Sequence, residues 1–189
     1  MSVGSGWDIP DGLKPWQNFH WFQPSPRSTI RLVILSEQPI WYAGHFVNNR
    51  MAPCCGQECD LCAAGTGVQI RYCFAVVEPL TRRVGLIEFG ESNGRMIRDW
   101  GNRNGGIRGV QIEVFKHSKS AQSRTQINYI DEIPPLWIAS CDIPDPALAL
   151  YLTWSKANMP MPSEFALRMS AVLERSEAER ATRRKMRVG

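Results

Sequence analysis

The 189-residue sequence predicts an all-β core, a small barrel of five or six strands with one inserted loop, followed by C-terminal helices, and so an α+β chain overall. Short strand-like runs alternate with turn signals and no βαβ pattern is visible. A cysteine-dense segment at 54–62 separates two of these runs, and long helical patterns begin only after residue 145. We therefore expect an irregular arm at 1–27, a β domain at 28–133, and a connection with C-terminal helices and a basic tail at 134–189.

Six runs have the composition and spacing of strands. The clearest is 68–77, where Tyr72 and Phe74 fall on one face and Arg71 and Cys73 on the other. The predicted strands are 28–36, 39–47, 68–77, 84–89, 109–117 and 124–130, of which the third and fourth, and the fifth and sixth, form predicted hairpins.

Helical signals are short in the first part of the chain and stronger in the second. Residues 96–102 predict one or two helical turns. Asp145 before Pro146 is typical of a helix N-cap with proline at the first position, and it opens a predicted helix at 147–157. A last helix is predicted at 163–186, and its apolar positions fade into an Arg- and Glu-rich end, so that only its first half is expected to pack.

The composition is that of an ordinary globular protein, with 43% hydrophobic and 21% charged residues. It excludes a collagen, a disordered chain and a small disulfide-linked scaffold. The longest apolar runs, such as 30–35 and 73–77, are far shorter than the roughly 18 residues of a membrane helix. The first residues lack the basic and apolar regions of a signal peptide, so we expect a cytoplasmic protein without a membrane partner.

Positive charge is concentrated in two stretches. Residues 168–189 hold seven basic and three acidic side chains, which accounts for the whole net charge of +4. Residues 82–124 hold nine basic and four acidic side chains. Two basic stretches on a nearly neutral chain indicate an anionic partner such as a nucleic acid, with a solvated surface as the alternative.

Four of the six cysteines lie within nine residues, and a histidine precedes them. Cys59 and Cys62 form a CxxC pair, in which both thiolates can reach one ion from a tight turn. Either Cys54 or Cys55 supplies a third thiolate and His45 a fourth ligand. Three thiolates and one imidazole are a set suited to tetrahedral Zn²⁺.

Two other interpretations of this segment are a redox-active CxxC pair and a group of small buried thiols that bind no metal. A redox pair is usually found near a βαβ pattern, which the sequence lacks. Four protein ligands also close the coordination shell, so a catalytic zinc with an open water position is not expected. The two remaining cysteines, Cys73 and Cys141, lie in apolar runs and are predicted to be core residues.

Arginines and aromatic residues alternate along much of the chain. Binding of single-stranded nucleic acid without sequence preference needs this combination, because cations hold the phosphates and aromatic faces stack on the bases. Between Tyr72 and Phe74, we favour Tyr72 as a stacking residue because its hydroxyl tolerates a wet groove. The candidate contacts are Arg31, Trp41, Tyr42, Arg71, Tyr72, Arg82, Arg83, Arg95, Arg98, Trp100, Arg103, Arg108, Phe115, Lys116, Lys119 and Arg124.

A series of motifs resembles one protein family. His45 is followed by RMAPCCGQECDLCAAG at 50–65, by RYCFAVV at 71–77 and by VGLIEFG at 84–90. This series resembles the zinc-containing OB-fold single-stranded-DNA-binding proteins of tailed phages and mobile elements, of the phage helix-destabilising type. The resemblance covers about residues 28–130. It implies a zinc-bearing OB-like domain at 28–133.

Residue by residue, the resemblance implies His45, Cys54, Cys59 and Cys62 as the zinc ligands, with Cys55 as the alternative to Cys54. It also implies a basic, aromatic-lined cleft for single-stranded DNA. One departure is clear: such proteins commonly end in an acidic tail that recruits replication partners, whereas this chain ends in RRKMRVG.

We therefore expect a non-catalytic protein that binds and protects single-stranded DNA in phage or mobile-element replication or recombination, in the host cytoplasm if it is phage-encoded. Other replication or recombination proteins and further copies of the chain on DNA are the expected partners. The alternative is a protein-interaction module whose zinc loop docks a partner. A zinc nucleobase deaminase is disfavoured because Val47 stands where the H-x-E signature requires glutamate.

Overall fold

A computed structural model of the chain describes residues 20–47, 50–117, 125–141, 143, 145–156, 159, 161–162 and 165. Its strands are β1 (His20–Trp21), β2 (Thr29–Ile34), β3 (Ile40–Val47), β4 (Arg50–Pro53), β5 (Val68–Glu78), β6 (Arg83–Gly90), β7 (Gln111–Lys116) and β8 (Thr125–Ile130). Its helices are α1 (Asp60–Ala63), α2 (Glu91–Asn104) and α3 (Pro146–Lys156), with 3-10 turns at Gly56–Glu58 and Leu136–Ser140. The first 19 residues, the loop with Lys119 and Arg124, and the basic tail lie outside the described residues.

The eight described strands form one mixed sheet in the order β1-β6-β5-β2-β7-β8, and β3 pairs with both β4 and β5. Strand β5 is long enough for two partners: its end pairs with β2, as Val77 does with Val33, and its first half pairs with β3, as Tyr72 does with Trp41. Strands β2 and β3 therefore lie one after the other along β5. Both predicted hairpins are present, as the antiparallel pairs β5–β6 and β7–β8.

One face of this sheet, which we call the inner face, is covered by α2. It carries Tyr72, Phe74 and Val76 of β5, all buried, with apolar residues of β2, β6 and β7 around them. Helix α2 can approach closely because it has glycine at position 94, where a Cβ would stand 2.2 Å from the Tyr72 ring. The predicted alternation of faces along 68–77 is confirmed. Burial of the apolar side chains of the inner face holds α2 against the sheet through the hydrophobic effect.

The opposite, outer face is covered by the C-terminal segment. Cys73, Ala75 and Val77 of β5 pack there against a group that includes Leu150 and Trp154 of α3. The predicted start of this helix is confirmed. The Asp145 carboxylate accepts hydrogen bonds from the backbone N–H groups of Ala147 (2.8 Å) and Leu148 (3.3 Å), as an N-cap does.

The chain is thus a β-rich α+β protein, as predicted, with three differences. The sheet is open: among the described strands, β8 pairs only with β7, and the free edge of β6 is taken by β1 in parallel register. The structure has eight described strands instead of five or six, because β1 and β4 add to the six predicted ones. Helix α2 is also longer than the predicted 96–102.

Candidate metal centre and nucleic-acid interface

Four side chains from three neighbouring elements meet at one end of the sheet. His45 lies near the end of β3, and Cys54 directly follows β4, which pairs with that part of β3. Cys59 stands at the start of α1 and Cys62 lies within it. The hairpin of β3 and β4 brings His45 and Cys54 together, and α1 brings Cys59 and Cys62 together. Gly65, whose φ of +74° lies in the left-handed region, then turns the chain back to β5.

The ligand atoms of His45, Cys54, Cys59 and Cys62 all lie within 4.8 Å of one another. The Nε2 atom of His45 is 3.3 Å from the Cys59 Sγ and 3.4 Å from the Cys62 Sγ, and the Cys54 and Cys62 sulfurs are 3.5 Å apart. For zinc bonded to sulfur at about 2.3 Å and to nitrogen at about 2.0 Å, tetrahedral angles give S–S edges of about 3.8 Å and S–N edges of about 3.6 Å. The four residues could hold a metal ion, and their geometry is consistent with zinc.

The protein prepares two of these ligands by hydrogen bonds. His45 is fully buried, and its Nδ1–H donates to the Thr66 backbone carbonyl at 3.1 Å, which leaves the Nε2 lone pair facing the thiols. Backbone hydrogen bonds from Cys55 and Cys62 lower the pKa of the Cys59 thiol to about 6. Its thiolate form is therefore favoured at neutral pH, which is the form that binds metals.

Cys62 holds its proton more tightly than an ordinary thiol does. The side-chain hydrogen bond with Cys54 raises the pKa of Cys62 to about 11. A bound divalent cation favours the thiolate form instead, because it displaces the proton from each thiol that coordinates it. The alternative third ligand, Cys55, is not part of the group of four; burial and the nearby Cys59 raise the pKa of its thiol.

A groove of about 810 Å³ lies between α2 and the start of β3, on the inner-face side of the sheet. Trp41 is 65% exposed on its wall, although large aromatic side chains are usually buried in a core. Arg95 and Arg98 reach the groove from the exposed side of α2, and the half-buried Ile70 lies on the strand next to Trp41. We call this the α2 groove.

The two arginines of the α2 groove have acidic neighbours on the same helix. Arg95 forms an ion pair with Glu91, and the Arg98 guanidinium lies 3.1 Å from a carboxylate oxygen of Asp99. All four side chains are about half exposed. Exposed pairs of this kind contribute only about 0–1 kcal/mol, so both guanidinium groups can exchange their partners for the phosphates of a ligand.

Three predicted contacts are buried or half-buried. Tyr72, which we favoured for stacking, is only 7% exposed beneath α2, so most of its ring lies in the core, although it is among the residues that line the α2 groove. Tyr42 lies on the outer face, donates a hydrogen bond to Glu88 at 2.5 Å, and meets the Trp154 ring edge to face. Arg71 lies beside the same carboxylate at 3.9 Å, with its side chain 24% exposed.

The remaining described candidates are spread over other surfaces. On the outer face of β2 and β7, Arg31 bonds to Glu113 at 3.0 Å and Phe115 meets the ring of His117. At the β5–β6 turn, the Arg82 guanidinium lies over the Trp137 ring. The other described candidates are the exposed Arg83, the half-buried Lys116, and Trp100, Arg103 and Arg108 at or near the end of α2. The structure therefore brings together Trp41, Tyr72, Arg95 and Arg98 around the α2 groove and leaves most of the others apart.

The sequence prediction did not include Thr66 or Asn102, which belong to these two sites. Thr66 orients the histidine through its backbone carbonyl, for which a sequence offers no side-chain signal. Asn102 lines the α2 groove, and its spacing of seven residues from Arg95 and four from Arg98 places it on the same helix face. Helical periodicity extended over 91–104 would have found it.

Comparison of the chain with protein-family models, with curated proteins and with solved structures found no match. Among the helices that the described residues form, none combines the length and the hydropathy needed to cross a bilayer. Function is therefore inferred from the geometry of the two sites described above.

Proposed function

We propose that this protein is a non-catalytic, zinc-containing single-stranded-DNA-binding protein that acts in phage or mobile-element replication or recombination. The observation that carries the proposal is the exposed Trp41 in a groove whose other wall presents Arg95 and Arg98. An accessible indole beside cations is the combination that holds single strands, and stacking on a base contributes about 1–3 kcal/mol.

The topology supports an OB-type fold. Strand β2 pairs with β5 on one side and with β7 on the other, so that the hairpins β5–β6 and β7–β8 flank it. These five strands form an open sheet in the described residues, and their order is compatible with the partly open five-stranded barrel of OB-folds, which bind oligonucleotides. The resemblance of the motifs at 45–90 to phage single-stranded-DNA-binding proteins points the same way.

Zinc has a structural part in this proposal. The loop between β3 and β5 has few buried apolar side chains of its own, and four ligands to one ion would fix it. The register pairs Trp41 with Tyr72 and His45 with Val68, so the indole and the ligand lie on the same face of β3. A metal at His45 would thereby hold the strand that carries the stacking residue.

Fluorescence anisotropy with a labelled oligo-dT of about 12 nucleotides tests the proposal. The protein should bind the single strand more tightly than a duplex of equal length. Trp41→Ala should weaken binding by about fivefold or more, the lower end expected for one stacked base. Phe46→Ala is the matched control, because Phe46 is an exposed aromatic residue (46%) on the same strand but on the opposite face. Equal losses in the two variants would contradict the assigned groove.

A second candidate is a protein-docking module. It is favoured by the exposed apolar side chains of Phe46 and Val68 (51% exposed), which flank the metal loop. In that case oligonucleotides should show no salt-dependent affinity for the wild-type protein at any length, and the metal loop would be the place to search for a protein partner.

A further inference from the structure

The sheet face that an OB-fold uses for ligands is covered in this chain. In OB-folds, oligonucleotides bind on the face of the second and third strands, which correspond here to β5 and β6. The outer face of these strands is packed under Ile138, Leu150 and Trp154 of the C-terminal segment, all of which are buried. A single strand therefore needs a different path over this protein.

Clefts surround α2 on both sides. The α2 groove shares Gly105 and Gly106 with a second cleft of about 330 Å³, which is lined by Trp100 and Arg108 among others. The two clefts thus meet at the turn that follows the helix. The exposed surface of α2 between them carries Arg95, Arg98 and Arg103.

The second cleft also contains an aromatic platform. The half-buried Trp100 stacks on Tyr129 of β8, with the ring centroids 5.3 Å apart and the planes 19° from parallel. The acidic residues Asp131 and Glu132 line the same cleft, which disfavours a phosphate there but suits the uncharged edge of a base. Phosphates are favoured instead on the arginines of the helix.

We propose that the single strand crosses α2, with its phosphates on Arg95, Arg98 and Arg103 and with one base at Trp41 and another at Trp100. This inference rests on the proposed function and adds to it a second base site and a path. A helix with its side chains is about 10–12 Å wide, and a stacked strand advances about 3.4 Å per nucleotide, so about five nucleotides reach both indoles.

Photo-cross-linking tests the path in the unmodified protein. A dT12 oligonucleotide in which scattered thymines are replaced by 5-iodouracil is irradiated with the protein, and cross-linked peptides are identified by mass spectrometry. Adducts at both Trp41 and Trp100 are expected. Adducts at Trp41 without any at Trp100 would overturn the second site and leave the proposed function in place, whereas a protein that fails to bind dT12 at all would remove both.

A length series gives an independent readout. Trp100→Leu should weaken binding of dT8 by about fivefold or more. The affinity of dT3, measured by competition, should stay unchanged, because a strand held at Trp41 is then too short to reach Trp100. Arg103→Ala, an exposed substitution that leaves the core intact, should also weaken dT8 more than dT3. Equal effects of Arg103→Ala on both lengths, or none on either, would contradict a strand that crosses the helix.

Discussion

The His45 Nδ1–H donates to the Thr66 backbone carbonyl at 3.1 Å, and this bond turns the opposite nitrogen toward the thiols of Cys59 and Cys62. The ring is fully buried, so no water competes for either nitrogen. A neutral imidazole oriented in this way is a typical metal ligand, and the carbonyl behind it fixes its tautomer. Together with the Cys54 thiol, these three side chains could therefore hold a metal ion.

Substitution of a ligand should remove the metal. Purified wild-type protein should carry about one zinc per chain, and Cys62→Ser should carry far less, because structural zinc needs all four ligands. The measurement is elemental analysis by mass spectrometry together with thermal unfolding, in which Cys62→Ser should melt at a lower temperature. Cys55→Ser is the control: its neighbour Cys54, not Cys55, belongs to the group of four, so both properties should stay at wild-type values.

Contact between α2 and the sheet should depend on Gly94. A Cβ at this position would stand 2.2 Å from the Tyr72 ring, so Gly94→Ala should lower the free energy of unfolding by about 1–3 kcal/mol, as overpacking of a core does. Without a clash, alanine in a helix would stabilise it by roughly 0.8–1 kcal/mol. Urea denaturation distinguishes the two results, because the free energy of unfolding falls in the first case and rises in the second. Ser92→Ala, at an exposed position of the same helix, serves as the reference.

The arginines of α2 should determine the salt dependence of binding. Each phosphate contact to a single strand contributes about 0.7 to the slope of log affinity against log salt concentration, so the Arg95→Ala/Arg98→Ala pair should reduce this slope by about 1.4. Arg31→Ala removes an exposed arginine on the outer face and should leave the slope unchanged. A slope that changes equally in both proteins would mean that phosphates have no preference for α2.

The half-buried Glu88 should make stability depend on pH. Burial raises the pKa of its carboxyl group above the ordinary value, against the hydrogen bond from Tyr42 and the charge of Arg71. The folded state therefore holds its proton more tightly, and the resulting stabilisation is present below the ordinary pKa and lost as pH rises through the raised one.

Denaturation curves recorded from pH 4 upward test this dependence. The free energy of unfolding of Glu88→Gln should fall less over this range than that of the wild type, because glutamine keeps an acceptor for the Tyr42 hydroxyl without a titrating group. Glu113→Gln, on β7, is the control. Identical pH profiles for Glu88→Gln and the wild type would refute the role of burial.

Local patterns predicted the parts of this fold that depend on local chemistry. The alternation in β5 and the Asp145 N-cap are present as expected, because strand faces and helix caps follow from neighbouring residues. Spacing and ligand chemistry also named His45, Cys59 and Cys62 of the metal group, since a CxxC turn brings its own thiols together, and left Cys54 and Cys55 as alternatives for the third thiolate. The two-residue strand β1 was missed because it exists only through its pairing with β6, far along the chain.

The nucleic-acid contacts were harder to predict for the same physical reason. Residue types show which side chains can stack, but not which face another element covers. The sequence predicted Tyr42 as a contact, but in the structure the ring of Trp154, more than a hundred residues further along the chain, packs against it. Tyr72 is covered because glycine at position 94 lets α2 approach. Trp41 remains 65% exposed because it lies beyond the reach of that helix.

The most direct test of the central claim is the affinity of the purified protein for labelled oligo-dT, measured by anisotropy at several salt concentrations, before and after treatment with a strong chelator. We predict binding to the single strand that weakens steeply with salt, exceeds binding to duplex, and falls when the metal is removed. Absence of binding at low salt by protein that carries one equivalent of zinc would contradict it.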